Sequence, residues 1–375
     1  MDGPVNVPLL DLVAQYRDIK DEVLEAVMAV IERQAFIMGA EVSQLEAAVA
    51  VLSKTRHAIG CASGTDALLL PLRALDLKPG DEVITVPFTF FATAGAIHNA
   101  GGTPVFVDIE PATFNIDPAA AEAAITPRTR AIVAVDLFGQ MAPMEALETL
   151  AARHGLALIE DAAQSIGARR KIDGTWRMAG ELGTCGTLSF FPSKNLGAYG
   201  DGGMIVTQDD ALAERLRRLR LHGGARTYYH DEVGFNSRLD TLQAAVLLAK
   251  LPHLADWSAA RARNAAQYTE SFSTHPDICP PWTDPANQHI YNQYTIRVPR
   301  RDALQAHLKA KGIGNSIYYP LPLHLQPCFA HLGYQKGRLP HSEAASEQVI
   351  SLPVYPELSV EQQQTVIDAV LEFYA

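Results

Sequence analysis

The feature that most constrains the fold of this chain is an alternation of short apolar runs and helical stretches along residues 57–160. The apolar runs have the length and composition of buried strands. They give predicted strands at 57–61, 82–86, 104–107, 130–135 and 157–160, with predicted helices between them at 65–75, 92–99, 118–124 and 144–153. Strands joined through helices pair in parallel, with helices on both faces of the sheet. The alternation therefore predicts an α/β fold around a mostly parallel central sheet.

The remaining sequence extends this unit and adds a second, smaller one. Before the sheet, helices are predicted at 16–34 and 42–52, and after it a strand and a helix at 204–207 and 209–221. A long helical segment over 240–273 contains Pro252, which predicts a kink. The elements predicted beyond it are a strand at 294–298, a helix at 302–311 and a helix beginning near residue 360. We therefore predict a large domain over 1–250 and a small C-terminal α/β domain over 251–375.

The composition limits the classes of function that fit. With 375 residues, 48% of them hydrophobic and 19% charged, the chain can bury the cores of two lobes. A net charge of −11 argues against a general nucleic-acid surface. A solvated helix face is the simplest interpretation of the densest basic run, which consists of Arg215, Arg217, Arg218 and Arg220.

Cysteine and histidine usage argues against a disulfide framework and against a metal site. The four cysteines are far apart and form no Cys-x-x-Cys pair. No metal-ligand spacing relates His222, His289, His324 and His331. Residues 1–8 lack the basic and apolar regions of a secretory signal, and no apolar run is long enough to span a membrane. We therefore expect a cytoplasmic protein without a metal or a membrane partner.

The candidate catalytic group is Lys194, which lies in the run Ser189-Phe190-Phe191-Pro192-Ser193-Lys194-Asn195-Leu196-Gly197. Aromatic residues, a proline and nearby glycines place it on an irregular loop. A lysine amine can be held there and partly desolvated as a nucleophile. Taken alone, the run also fits a solvated loop lysine, so the neighbouring motifs decide between the two interpretations.

A carboxylate stands at the end of a predicted buried strand. The run Leu158-Ile159-Glu160-Asp161-Ala162-Ala163-Gln164 is apolar up to a carboxylate pair. Open α/β sheets place ligand groups at the carboxyl ends of their strands. An aspartate there either caps the next helix or, together with a loop lysine, pairs with the protonated pyridine nitrogen of pyridoxal phosphate. Lys194 and Asp161 are the minimum set for that cofactor.

A turn of small residues follows the first predicted strand. Ala62-Ser63-Gly64-Thr65-Asp66 leads from the strand at 57–61 into the next helix. The backbone amides of this turn, the helix dipole and the Thr65 hydroxyl suit a phosphate group. The same residues also suit an ordinary helix cap. Beside Lys194 and Asp161, the turn completes a candidate cofactor site.

Together these runs resemble the sugar aminotransferases of the DegT/StrS family, pyridoxal phosphate enzymes of the aspartate aminotransferase fold (fold type I). The resemblance covers essentially the whole chain and includes Phe36-Ile37-Met38-Gly39, Pro87-Phe88-Thr89-Phe90-Phe91-Ala92-Thr93-Ala94, Phe235-Asn236-Ser237-Arg238-Leu239-Asp240 and Tyr318-Tyr319-Pro320-Leu321-Pro322. It implies transfer of an amino group from an amino acid, glutamate by analogy, to a keto sugar linked to a nucleotide diphosphate. Our preferred acceptor is a 3-keto sugar.

The resemblance also implies a role for each matching residue. Lys194 forms the Schiff base with the cofactor and moves the proton, and Asp161 pairs with the ring nitrogen. The implied cofactor-binding residues are Gly64, Thr65, Phe90, Asp161, Gln164, Ser189, Lys194 and, from the second subunit of a homodimer, Asn236. The implied contacts to the sugar nucleotide are Gln34, Phe36, Ser193, Tyr318, Tyr319 and, again from the second subunit, Arg238. Of these groups, Phe90 stacks on the cofactor ring and Gln164 lies near its phenolic oxygen.

Other functions stay open at this point. A sugar dehydratase of the same family has histidine in place of the cofactor lysine, and Lys194 argues against it. A regulatory or sensory member would retain the fold without turnover. The run Gly60-Cys61-Ala62-Ser63-Gly64 has one residue too many for the serine hydrolase motif Gly-x-Ser-x-Gly. The run Gly200-Asp201-Gly202-Gly203 leads into a strand, whereas a nicotinamide-binding motif leads into a helix.

Overall fold

The structure is a computed structural model that describes residues 6–375. Residues 1–5 lie outside it, and with them most of the amino-terminal stretch on which the cytoplasmic prediction depends. Within the described range, no helix is both long enough and apolar enough to cross a membrane.

Helices and strands alternate through the first two thirds of the chain. Its elements are α1 (Leu12–Arg33), α2 (Ala40–Leu52), β1 (His57–Cys61), α3 (Gly64–Ala74), β2 (Glu82–Thr85), α4 (Ala92–Asn99), β3 (Thr103–Phe106), α5 (Pro118–Ala123), β4 (Thr129–Val135), α6 (Met144–His154), β5 (Ala157–Asp161), β6 (Arg169–Ile172), β7 (Thr175–Met178), β8 (Cys185–Ser189), β9 (Gly203–Thr207), α7 (Asp210–Leu219) and α8 (Thr241–Lys250). The remaining elements are α9 (Leu254–Phe272), β10 (Asn287–Gln288), β11 (Tyr294–Arg297), α10 (Arg301–Ala310), α11 (Pro340–Gln348), β12 (Val349–Leu352) and α12 (Val360–Tyr374).

The central sheet has seven strands in the order β1-β9-β8-β5-β4-β2-β3. Strands β8, β5, β4, β2 and β3 pair in parallel, and β9 runs antiparallel to both β8 and β1. All strands except β9 therefore point the same way, and their carboxyl ends share one edge of the sheet. The predicted fold class, a mostly parallel sheet in an α/β fold, is confirmed.

Two apolar layers cover the two faces of this sheet because side chains alternate along each strand. On β4, Ile132 and Ala134 belong to one layer, and Ala131 and Val133 to the other. Helices α2, α6 and α8 contribute to the first layer, and α3, α4 and α7 to the second. Each fully buried Leu, Ile or Val stabilises the fold by about 1.5–3 kcal/mol.

A separate core lies in the C-terminal part of the chain. It consists of Val7 and residues between 265 and 374, packed around the antiparallel pair β11 and β12. The rings of Tyr268 and Tyr294 stand 5.0 Å apart within it. A short 3-10 turn over Leu251–His253 joins α8 to α9, so the kink expected at Pro252 is confirmed. The domain boundary at residue 250 stays a prediction.

The sequence predictions do not include strands β6, β7, β8, β10 and β12 or helix α11. Strand β8 has a glycine where the pattern of a buried strand expects a bulky side chain. A Cβ added to Gly186 would stand only 2.3 Å from the Cα of Gly180, so the close approach of the two chain segments requires glycine there. Strands β6 and β7 form a hairpin with polar and partly exposed side chains, so they lack an apolar face.

The basic helix α7 departs from the predicted solvated face. Arg220, its C-terminal cap residue, is buried. Its Nη1 donates to Glu46 at 2.5 Å and to the carbonyl of Gly60 at 2.6 Å. A charge can be buried when a carboxylate and a carbonyl satisfy it in this way. The prediction is therefore wrong for Arg220, which ties the end of α7 to α2 and β1.

Candidate active site

The candidate catalytic residues meet at the carboxyl edge of the sheet. Asp161 is the last residue of β5, and it lies opposite Thr187 of the parallel strand β8. Strand β8 ends at Ser189, and the loop that continues from it to β9 carries Lys194. The strand topology therefore brings together two side chains that are 33 positions apart in the sequence (194 − 161).

Lys194 is a half-buried lysine with an unusually acidic ammonium group. Burial lowers its pKa to about 8, and the charge of Asp161 partly offsets this effect. At pH 7, about one tenth of the amine is then neutral, against about one in three thousand for an ordinary lysine. A neutral amine is the form that attacks a carbonyl carbon. The surroundings of Lys194 therefore favour the form of the amine that acts as a nucleophile.

Asp161 is buried and accepts two hydrogen bonds. Its Oδ2 accepts from the Thr93 hydroxyl at 2.8 Å, and its Oδ1 accepts from the backbone N–H of Ala163 at 3.3 Å. Burial raises the pKa of this carboxyl group, while both hydrogen bonds and the charge of Lys194 lower it. A carboxylate held in this way suits a cationic partner in a site with little water.

Gln164 connects this centre to the loop that carries Tyr318 and Tyr319. Its Oε1 accepts from the N–H of Phe138 at 2.6 Å, and its Nε2 donates to the hydroxyl of Tyr319 at 3.3 Å. The ring of Tyr319 also lies 6.2 Å from that of Phe90, between ring centroids. Phe90 is 59% exposed, so one face of its ring is available to a planar ligand.

The predicted phosphate-binding residues are Gly64, Thr65 and Ser189, which together are called the phosphate cup. They lie where α3 closely approaches β8. A Cβ added to Gly64 would stand 2.6 Å from the Cβ of Ser189, so only glycine allows this approach. The Ser63 hydroxyl accepts from the N–H of Asp66 at 3.1 Å and caps α3. The first N–H groups of a helix have no acceptor within the helix. The N–H groups of Gly64 and Thr65 and the hydroxyls of Thr65 and Ser189 thus form a ready anion site.

These residues fit pyridoxal phosphate. The cup would hold the phosphate, Asp161 the protonated ring nitrogen, and Phe90 one face of the ring, with Lys194 as the amine that forms the covalent bond. The fit follows from the cradle at Gly64 and from the donor and acceptor chemistry of the set.

The residues predicted to contact the substrate lie around this centre. Tyr318 and the exposed Ser193 line one small cavity. Arg238 lines a wider, open cavity of about 820 Å³ with the loop 221–234. Asn236 is exposed, and its backbone pairs with that of Leu221. This contact lies outside the group formed by Lys194, Asp161 and Gln164, which is called the Lys194 cluster.

The two remaining predicted contacts lie at the end of α1. Gln34 caps this helix, and its side chain donates to the carbonyl of Ile31 at 2.7 Å. The carbonyl of Phe36 accepts from the N–H of Thr241 at 3.0 Å. The second contact places Phe36 at the start of α8, and neither contact involves Lys194 or Asp161.

Two site features have no clear signal in the sequence. The first feature is the hydrogen bond from Thr93 to Asp161, which joins residues 68 positions apart. Thr93 belongs to one of the family motifs, but the motif does not reveal this partner. The second feature is an acidic pair beneath the site, formed by the buried side chains of Asp136 and Glu160. Burial raises the pKa of Asp136 to about 6. Burial and the charge of Asp136 raise the pKa of Glu160 well above its usual range. Asp136 also accepts from the Ser165 hydroxyl at 2.8 Å.

The chain is similar in sequence to known proteins. The sequence matches the DegT/DnrJ/EryC1/StrS aminotransferase family over residues 17–371. It is 54% identical to a pleiotropic regulatory protein of Geobacillus stearothermophilus, over 99% of each chain. It is 47% identical to the UDP-N-acetyl-3-dehydro-alpha-D-glucosamine 3-aminotransferase of Acidithiobacillus ferrooxidans, over 95% of each chain.

The chain is also similar in fold to solved structures. The fold matches Streptomyces venezuelae DesV in complex with a ketimine intermediate, with a TM-score of 0.95, 44% identity and 98% of each chain covered. The chain therefore belongs to the DegT/DnrJ/EryC1/StrS aminotransferase family, as its motifs predict, and pyridoxal phosphate is the cofactor of this family.

Proposed function

We propose that this protein transfers an amino group from an amino acid, glutamate by preference, to a 3-keto sugar linked to a nucleotide diphosphate. The observation that carries the proposal is the half-buried Lys194 beside the buried Asp161, at the sheet edge that also holds the phosphate cup. The names of the relatives support the choice of acceptor. They include a UDP-linked and a dTDP-linked sugar 3-aminotransferase, each more than 40% identical to this chain. The product would serve the synthesis of surface polysaccharides or glycosylated metabolites.

The chain's own residues divide the work between binding and proton transfer. Pyridoxal phosphate, when bound, supplies an electron sink that acidifies the carbon next to the transferred nitrogen. With the cofactor bound, the Nζ of Lys194 would take up this proton and return it on the other side of the transferred nitrogen. Asp161 would keep the ring nitrogen charged, because its carboxylate is shielded from water and aligned by Thr93.

A regulatory protein is the second candidate, because one relative, 54% identical, is called a pleiotropic regulatory protein. A regulator that only senses a ligand has no need of an activated lysine. Here Lys194, Asp161 and the cup at Gly64 are all in place. We therefore favour the enzyme, and the loss of the cofactor's visible absorption band on addition of glutamate separates the two candidates.

The acceptor is tested by comparing how fast different ketones remove the amino group. Enzyme loaded with nitrogen from glutamate is mixed with UDP- or dTDP-linked 3-keto and 4-keto sugars, or with oxaloacetate and pyruvate. We expect a 3-keto sugar nucleotide to restore the visible band with a kcat/KM about 10²-fold or more above the simple keto acids, because these lack the groups that bind. If oxaloacetate or pyruvate reacted faster than every sugar nucleotide, the assigned acceptor would be wrong.

We also propose that two copies of the chain form a homodimer that shares its active sites. Large aromatic side chains lie exposed around the site, and exposed apolar surface of this kind marks protein contacts; they are Phe90, Phe91, Phe191 and Tyr199. Asn236 is exposed and makes its backbone contact outside its own Lys194 cluster. In the proposed dimer, Asn236 and Arg238 reach the site of the other subunit.

The shared site predicts complementation between two inactive variants. Lys194→Ala is mixed with the double variant Asn236→Ala/Arg238→Ala under conditions in which subunits exchange. We expect recovery of about a quarter of the wild-type sites, since half of the dimers would be mixed and each would have one intact site. Exchange is verified independently with differently tagged chains. Verified exchange without recovered activity would mean that each chain builds its own site.

A further inference from the structure

A small cavity of about 80 Å³ lies where the two lobes meet, beside the Lys194 loop. Its walls include Ser193, Arg261, Asn292, Tyr318 and Val354. One water molecule needs roughly 10–15 Å³ of such volume. The cavity therefore has room for a carboxylate group.

Arg261, on α9, is the charged group of this cavity, and only 3% of its surface is exposed. Its Nη1 donates to three backbone carbonyls, at 2.7 Å to Val354, 3.2 Å to Tyr291 and 3.4 Å to Asn292. Within residues 6–375, its Nε and Nη2 have no hydrogen-bond acceptor, and no carboxylate lies within 4.0 Å. The edge formed by Nε and Nη2 is the one that binds a carboxylate through two parallel hydrogen bonds.

The charge of Arg261 is retained at neutral pH. Burial lowers the pKa of its guanidinium to about 10, and the charge of Glu357 partly offsets this effect. Glu357 lies beyond ion-pair distance, so it does not occupy the free edge. A buried cation without a paired anion is costly to the fold. A ligand that supplies a carboxylate would remove this cost.

The cavity adjoins the loop that carries Lys194. Ser193, which precedes Lys194, lines it directly. Asn195, which follows Lys194, accepts at its Oδ1 a hydrogen bond of 2.6 Å from Asn292, another wall residue. A ligand in the cavity would thus meet an unpaired cation beside the loop that carries the reactive amine.

We propose that this cavity binds a carboxylate of the amino donor and that Arg261 is the residue that pairs with it. The inference rests on the proposed aminotransferase function. The donor must place its amine at Lys194 while its carboxylate is held, whereas a neutral keto sugar has no carboxylate to offer. Separate anchors allow one site to take two unlike substrates in turn, with Arg261 for the donor and Arg238 for the sugar nucleotide.

The test compares the two half-reactions in Arg261→Met. We expect the KM for glutamate to rise about 10- to 100-fold, the range for a lost hydrogen bond to a charged group. The half-reaction with the sugar nucleotide, started from protein loaded with pyridoxamine phosphate, should stay within about threefold of wild type, since it needs no carboxylate anchor. Calorimetry with glutarate, a dicarboxylate that cannot react, should show the same loss of affinity. Arg263→Met, an exposed position on the same helix, is the matched control.

Two results would overturn the proposal. One is a folded Arg261→Met variant that binds glutarate and uses glutamate as the wild type does. The other is an equal loss in both half-reactions, which would make Arg261 a link between the lobes. If Arg261→Met does not fold, Ser193→Asp places an anion at the exposed wall, and unchanged glutarate binding in that variant would contradict the proposal. A wild type that takes no nitrogen from any amino acid would instead refute the proposed function.

Discussion

Replacing Lys194 with alanine is expected to abolish turnover, with a loss of at least about 10⁴-fold, because one side chain serves both as nucleophile and as proton carrier. The fold should survive, since Lys194 lies on a loop and is only half-buried. The variant should still bind the cofactor without a covalent bond, because the cup at Gly64, Thr65 and Ser189 is unchanged. Steady-state turnover and the thermal midpoint measured with and without cofactor check both expectations.

Lys250 provides the matched control for this assignment. Burial lowers its pKa to about 8 as well, but its Nζ donates to the carbonyl of Gly197 at 2.8 Å and lies 4.4 Å from the ring centre of Tyr199. It thus has the acidity of Lys194 without its position. Borohydride reduction of the holoenzyme, followed by peptide mass analysis, should place the pyridoxyl group on Lys194. A label on Lys250 or another lysine would show that the assigned nucleophile is wrong.

The second large effect is expected for Asp161→Asn, which should lower kcat by about 10²–10⁴-fold. The substitution removes a charge but almost no volume. The amide oxygen of asparagine can still accept the hydrogen bond of Thr93, so the fold should be retained. Without the carboxylate, the ring nitrogen loses the partner that keeps it protonated. Single-turnover rates with glutamate measure this step separately from product release.

Glu160→Gln is the control for the charge at Asp161. Glu160 is adjacent in the strand, but its Oε2 accepts from the N–H of Gly180, away from Lys194. Burial and the charge of Asp136 raise its pKa well above the usual range. We expect this variant to keep kcat within about tenfold of wild type. If both variants retained near-normal rates, Asp161 would be a cap for the following turn and not a partner of the cofactor.

The sequence predicted the cofactor-binding set because its members lie in short motifs whose chemistry is recognisable. Lys194 stands out on a glycine-rich loop, and Asp161 stands out at the end of an apolar run. The alternation of strands and helices then implied that both lie at one edge of a parallel sheet. For these residues, local pattern and general topology were enough.

The features that the sequence did not reveal depend on contacts between distant segments. Arg261 looks like an ordinary helix arginine, and only the fold buries it against the carbonyls of Tyr291 and Val354. Arg220 was misread for the same reason, because Glu46 is 174 positions away. Strand β8 lacks an apolar pattern since Gly186 packs against Gly180. Such packing is set by the tertiary structure and leaves no period in the local sequence.

The central claim is that this chain carries nitrogen from an amino acid to a keto sugar nucleotide. The most direct measurement uses glutamate labelled with a heavy nitrogen isotope, a 3-keto sugar nucleotide and the cofactor-loaded wild type, followed by NMR of the purified sugar nucleotide. We expect the label on the ring carbon that carried the ketone, with an equal amount of 2-oxoglutarate formed. Label that stays in glutamate, or passes only to added keto acids, would contradict the account.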